Sequence, residues 1–238
     1  MGFAAVGRAA LQGQLRRARE FSTQALQISI GNNFKDSAAG LASYQALIEA
    51  EVGNFAQTRE RATASMALSR TRTNLPNLAV ALALAGDFNQ ARNIVDELKK
   101  RYPSDTQVNQ VFIPCALALL ELNRDPAKGI QILQPTSRYE LGVSFGFLPI
   151  YVRGLTYQRG RQGREAAAEF QKILDHRDLG AVTLAYALSH VSAARAYALI
   201  GDNVRSRKAY QDFFALWKDA DPDIPILKEA KAEYAKLQ

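Results

Sequence analysis

The sequence predicts an all-α protein, a solenoid in which antiparallel helix pairs stack in series into a right-handed superhelix. Three observations carry this prediction. Strong helix formers (Ala, Leu, Gln, Glu, Arg, Lys) fill the long stretches, while 15 Gly and 8 Pro fall singly between them. A turn position recurs as Gly13, Gly53, Gly86, Arg124, Arg161 and Gly201, with separations of 40, 33, 38, 37 and 40 residues, and self-similarity at intervals of about 20–50 residues marks stacked supersecondary units. Five residues after each turn the side chain is small: Ala18, Thr58, Ala91, Gly129, Ala166 and Ser206. Reversing the chain after the first helix of a pair favours glycine, and close approach of the second helix excludes bulk.

Taken in order, unit one comprises helices over 3–12 and 15–30, unit two 36–52 and 55–70, and unit three 74–85 and 88–101. Unit four follows with 105–122 and 126–134, unit five with 148–159 and 163–176, and unit six with 181–200 and 203–217. The whole chain, 1–238, reads as a single domain. Nine residues after the turn, Val95, Leu133, Phe170 and Tyr210 aim the second helix of units three to six into the core; Ser22 and Ala62 are poorer matches in units one and two. After Asp221-Pro222-Asp223-Ile224, Pro225 opens a final helix over 225–237, since a missing N–H costs nothing at the first position. That helix has a narrow stripe (Leu227, Ala230, Tyr234, Leu237) beside a wet face, and is predicted to cap the array. At the other end, the first helix offers Phe3, Val6 and Leu11 with no polar cap before it, so the chain is expected to begin partway into a longer array. Residues 135–147 lack helical period and are read as a loop, whose aromatics around Phe145 are a second candidate contact site.

Unit three is the clearest. Leu75, Leu78, Ala79 and Leu82 form a stripe, Gly86-Asp87-Phe88 turns, Ala91 and Val95 face inward, and Tyr102-Pro103 stops the second helix. Over residues 72–105 this resembles the tetratricopeptide repeat; the other units are longer than that family's and read as divergent. The resemblance implies a concave face built by side chains six and ten residues before each turn. In units five and six these are Leu155 and Tyr151, then Arg195 and Val191, an apolar strip with one cation at its edge. The Lys and Asn pair with which chaperone-binding members clamp a terminal carboxylate is missing from the corresponding positions.

From Tyr151 onward the likeness narrows. Tyr-Val-Arg-Gly (151–154), Ala-Ala-Ala-Glu-Phe-Gln-Lys-Ile-Leu-Asp-His-Arg (166–177), Ala-Arg-Ala-Tyr-Ala-Leu (194–199) and the run from Ala209 to Lys228 resemble the C-terminal region of acidobacterial-type serine/threonine protein kinases. In that family a kinase domain precedes the repeats. The tripeptide His176-Arg177-Asp178 occurs but does not make a kinase catalytic loop, since Thr183 stands where that loop has its Asn, and Asp-Phe-Gly does not occur in this chain. The resemblance implies the non-catalytic interaction domain of a bacterial signalling protein.

Chemistry-bearing residues are sparse. His176 and His190 stand 14 residues apart without a metal-binding motif, and Cys115 lies alone in an apolar run, where a buried inert thiol is expected. No glycine-rich phosphate loop occurs. The chain is therefore expected to use no cofactor or metal and to be no enzyme. The formal charge of +7 is spread over many helices beside acidic neighbours, which speaks against a nucleic-acid surface. The longest uncharged run, Leu179–Ala194, has 16 residues, short of the roughly 20 a spanning helix needs, so no segment is expected in a membrane. A protein or peptide is the expected partner, held by Tyr151, Leu155, Val191 and Arg195 or by the Phe145 loop. Two alternatives remain at this point: a sensing domain of a transcription regulator, and a basic nucleic-acid-binding solenoid.

Overall fold

A computed structural model of the chain describes residues 2–141, 147–179 and 183–237. Among these residues all regular structure is helical, with 13 α-helices. Unit one holds α1 (Gly2–Leu11) and α2 (Leu15–Gly31), unit two α3 (Lys35–Glu51) and α4 (Phe55–Leu68), and unit three α5 (Leu75–Leu84) and α6 (Phe88–Arg101). Units four to six hold α7 (Ile113–Glu121) and α8 (Pro126–Leu133), α9 (Leu148–Arg159) and α10 (Gly163–Leu174), and α11 (Leu184–Leu199) and α12 (Asn203–Leu216). The last helix is α13 (Pro225–Ala235).

Neighbouring helices pack in sequence order. Each odd-numbered helix from α1 to α9 touches the next odd-numbered one, and α11 returns to touch α1 and α3. These six form an inner ring, and their even-numbered partners pack around it. The difference is written in their sequences. Inner α3, α5 and α11 are apolar or small nearly all round and bury residues on every side, whereas outer α6 buries only the stripe Ala91, Ile94, Val95 and Leu98.

The turn and crossing residues behave as their chemistry requires. Gly13, Gly53, Gly86 and Gly201 have φ of 72°, 87°, 77° and 76°, and Arg161 takes the same left-handed conformation at 57°. Arg124 does not; after α7 the Glu121 carbonyl accepts the N–H groups of both Arg124 and Asp125, and the Asp125 side chain caps α8. All six residues five positions past the turns are buried. A Cβ on Gly129 would lie 2.9 Å from the Thr156 methyl carbon and 3.3 Å from the Ala118 carbonyl oxygen, so the crossing excludes even alanine unless the helices shift. Val95, Leu133, Phe170 and Tyr210 are buried, and so are Ser22 and Ala62, which keep the same direction without the bulk.

Two stretches are less regular than a plain helix or loop. Ahead of α7, Val108–Phe112 forms a π-helical turn; Pro114 lacks an N–H and its ring crowds the carbonyl four residues back, which a wider turn relieves. Within the expected loop, Gln134–Tyr139 is a 3-10 helix. Residues 142–146, Phe145 among them, lie outside the described residues.

The ends of the array meet. The Trp217 indole N–H donates to the Leu11 carbonyl at 3.0 Å, the Asp221 N–H to the Gly13 carbonyl at 3.0 Å, and the Ile226 N–H to the Val52 carbonyl at 3.3 Å. Asp221 in turn accepts the Arg16 N–H at 2.8 Å. One continuous core runs from Val6, Leu15 and Ile48 to Phe170, Val191 and Trp217; a second, around Leu78, Ile94, Leu98 and Leu119, fills units two to four. This corrects the exposure expected of the apolar residues of the first helix. Its Val6 and Leu11 are covered from within the chain, Val6 to 1 % exposure, and only Phe3 stays exposed, beside the Tyr44 ring. It also extends the reading of α13, which keeps its lysines in solvent as a cap should, yet joins unit six to units one and two.

Candidate functional site

Residues 218–237 form a strap over the end of the ring where α1, α3, α9 and α11 terminate. Between the strap and the ends of α7, α9 and α11 an open groove of about 810 Å³ remains, within the usual range for ligand and peptide sites. Leu122, Leu155 and Leu199 supply its apolar wall, and Arg159, Arg161 and Arg195 its cations. Glu229, Glu233 and Lys236 of α13 close the other side.

Arg195 is the hinge of this arrangement. Its Nε donates to Glu233 Oε2 at 2.8 Å and an Nη to Glu229 Oε2 at 3.0 Å, so one guanidinium holds two carboxylates one helical turn apart. Partial burial disfavours its charge, but the Glu233 hydrogen bond and the two carboxylate charges outweigh that and raise its pKa above the ordinary arginine value. Tyr210 donates its O–H to the same Glu233 oxygen at 2.7 Å, and its ring packs edge-on against Tyr234. Arg207 donates to the Leu237 carbonyl at 3.0 Å. The cations Arg159 and Arg161 are exposed and make no ion pair among the described residues.

The four predicted groove residues separate into two pairs. Leu155 and Arg195, six residues before their turns, line the groove. Tyr151 and Val191, one helical turn deeper, belong to the core at 5 % and 0 % exposure, with Tyr151 tilted against Phe170 at 5.9 Å. Burial, and then the field of Glu51, push the Tyr151 phenol above its ordinary pKa.

Glu51 is the residue that sequence reasoning missed. It ends α3 beside Val52, where the strap is anchored, and makes no side-chain hydrogen bond or ion pair among the described residues. It keeps some accessible surface, but the protein around it desolvates the carboxyl and pushes its pKa up to about 8. The available signal was an acid at the last position of an inner helix, where the helix dipole opposes negative charge.

Away from the groove the polar groups build structure. Arg19 forks onto Glu49 at 2.7 and 2.8 Å, and Gln45 and Asn54 complete that carboxylate's shell at 2.8 Å each. Arg153 bridges Glu140 and Glu169 under the 3-10 turn. Cys115 is fully buried and burial drives its thiol pKa up, the direction of an inert thiol. His176 Nδ1 lies 2.7 Å from the Lys172 carbonyl, and His190 meets Tyr186 edge-on, its pKa lowered by burial. Among the described residues no group of His, Cys, Asp or Glu could hold a metal ion, and no helix is long and apolar enough to cross a membrane. No protein-family model matches the chain, and no curated protein matches it in sequence.

Proposed function

We propose that this chain is a protein-interaction scaffold, a divergent right-handed tetratricopeptide array that holds a peptide or helix of a partner in the groove formed by α9 and α11. In this reading it is the non-catalytic C-terminal region of a bacterial serine/threonine kinase and has no enzymatic activity of its own. The observation that carries the reading is the seating of α13. An amphipathic helix with two acidic residues on one side lies against Arg195, so the cation of the groove already holds helical carboxylates within the chain. The kinase context rests on the sequence runs from Tyr151 onward. Against a nucleic-acid role, several arginines on the surface face carboxylates: Arg16 meets Asp221 and Asp223, Arg70 and Arg101 meet Glu97, and Arg205 meets Asp202.

The test is capture from native lysate with the parent chain and with Arg195→Glu, Leu155→Glu and Arg92→Glu, the last on the exposed face of α6. A partner held by the parent and by Arg92→Glu, and lost by both groove variants, supports the proposal. Equal capture by all four folded proteins removes the groove from it.

A further inference from the structure

We propose that the open groove binds a short acidic segment of a partner protein, which seats an apolar side chain on Leu155 and Leu199 and pairs its carboxylates with Arg159, Arg161 and Lys236, while α13 stays in place as the far wall. This rests on the groove reading above and adds the partner's chemistry.

Charge complementarity carries the inference. Four cations and two carboxylates line the groove. Both carboxylates, Glu229 and Glu233, are held by Arg195 at 3.0 and 2.8 Å. Arg159, Arg161 and Lys236 are left over; all three are exposed, and none makes an ion pair among the described residues. The carbonyls at the nearby helix ends are already engaged: those of Gln158, Tyr157 and Tyr197 accept the N–H groups of Arg161, Gln162 and Asp202 at 3.1, 2.9 and 3.0 Å. Carboxylates from outside the chain complete this set of charges.

Arg161 is placed there against the preference of its backbone. The turn residue of units one, two, three and six is glycine, whereas Arg161 holds the same left-handed conformation at a φ of 57°, which disfavours any residue with a Cβ. A cation in the last turn of α9, as Arg159 is, serves the helix dipole. Arg161 lies beyond that helix, so the dipole does not account for it. A guanidinium at the groove does, since backbone strain gathers where a side chain is needed for binding.

The apolar wall selects the class of anion. Leu122, Leu155 and Leu199 reach the groove from the ends of three successive inner helices. A peptide can set an apolar side chain there between carboxylates. Single-stranded nucleic acid instead stacks its bases on aromatic rings, and the one ring that lines the groove among the described residues, Tyr210, is 2 % exposed. The free volume of about 810 Å³ takes a short segment alongside α13.

The experiment uses the full chain and fluorescence anisotropy with four probes: a capped octapeptide of two central leucines flanked by glutamates, the same peptide with serines for leucines, the same with lysines for glutamates, and a short oligothymidylate. The parent is expected to bind the first most tightly and the lysine peptide not at all. Exposed pairs are weak singly, so two charges are reversed together: Arg159→Glu/Arg161→Glu should weaken the first peptide about five-fold or more, and Arg92→Glu/Lys100→Glu, an equal charge change on the exposed face of α6, less than about two-fold. Arg161→Gly should raise the melting temperature, because glycine takes the turn without strain, and still weaken the peptide. No binding by the parent, equal binding of the serine or lysine peptide, equal losses in the two double variants, undiminished binding by Arg161→Gly, or tighter binding of the oligothymidylate each overturns the proposal. If it is overturned while Arg195→Glu and Leu155→Glu still lose partners from lysate, the groove takes a partner of other chemistry. If those two variants keep every partner, the groove reading itself falls.

Discussion

Arg19 and Arg195 each join two elements by gripping carboxylates, Arg19 from α2 onto Glu49 of α3 and Arg195 from α11 onto Glu229 and Glu233 of α13. Glu49 is 1 % exposed and fully surrounded by donors from Arg19, Gln45 and Asn54, whereas Glu229 is 61 % exposed. The chemistry is the same and the solvent is not. A buried carboxylate that loses its cation is left without water to replace it, at a cost of about 3–5 kcal/mol; an exposed pair exchanges its partner for water at about 0–1 kcal/mol. The helix pairs thus form a frame fixed by burial; the strap shares in that burial through Ile226, Leu227 and Ala230, while its Arg195 ion pairs are contacts that can be exchanged.

The largest expected effect tests the frame. Ala91→Trp overpacks a closed helix crossing and should cost about 3 kcal/mol or more in urea unfolding. Arg92→Trp, the next residue but exposed, should stay within about 0.5 kcal/mol. Equal midpoints for the two variants would mean that the crossing is loose. Next comes Arg19→Ala, which leaves the Glu49 carboxylate buried with two neutral donors and should cost about 3 kcal/mol. Adding Glu49→Leu should recover part of that loss; no recovery would show that Arg19 acts through packing alone.

Glu51 stands where frame and strap meet and has a pH dependence of definite sign. Its carboxyl titrates near the ordinary carboxylate range in the unfolded chain and at about 8 in the folded one. The folded state therefore binds the proton more tightly, and stability present below the unfolded value is lost as pH rises through about 8. Discounting for its partial exposure, Glu51→Gln should remove about 1–3 kcal/mol of the parent's decline between about pH 5 and pH 9. Parallel stability profiles for parent and variant would contradict this. The smallest effect belongs to the strap's ion pairs. Glu229→Gln/Glu233→Gln should change global stability by less than about 1 kcal/mol, and a larger loss would count those pairs among the contacts that fix the frame.

The frame was legible because each of its requirements is local. A turn at φ near 75° selects glycine, and a crossing five residues later selects a small side chain, so the pattern around Gly86 and Ala91 repeats around Gly13 and Ala18 or Gly201 and Ser206. The meeting of Gly13 with Asp221 leaves no such mark, since it joins residues 208 apart in sequence through backbone atoms that every residue type carries. The same limit divided the groove. Counting back from the turn assumes inner helices with one free face; once α11 closes onto α1, residues one turn below the rim are surrounded. Leu155 and Arg195 therefore reach the groove while Tyr151 and Val191 fill the core. Arg161 shows the converse, a left-handed turn made by a residue that no propensity would choose for it.

Closure also sets a number. An open array can gain or lose a unit and remain an array, because each unit needs only its neighbours. Here the carbonyls of Leu11, Gly13 and Val52 are met by donors from Trp217, Asp221 and Ile226. Deleting or duplicating a single helix pair would rotate these partners out of reach. The usual way in which repeat proteins change length is therefore blocked: units can diverge in sequence, as the spacings of 33 to 40 residues indicate, but their count is held by geometry.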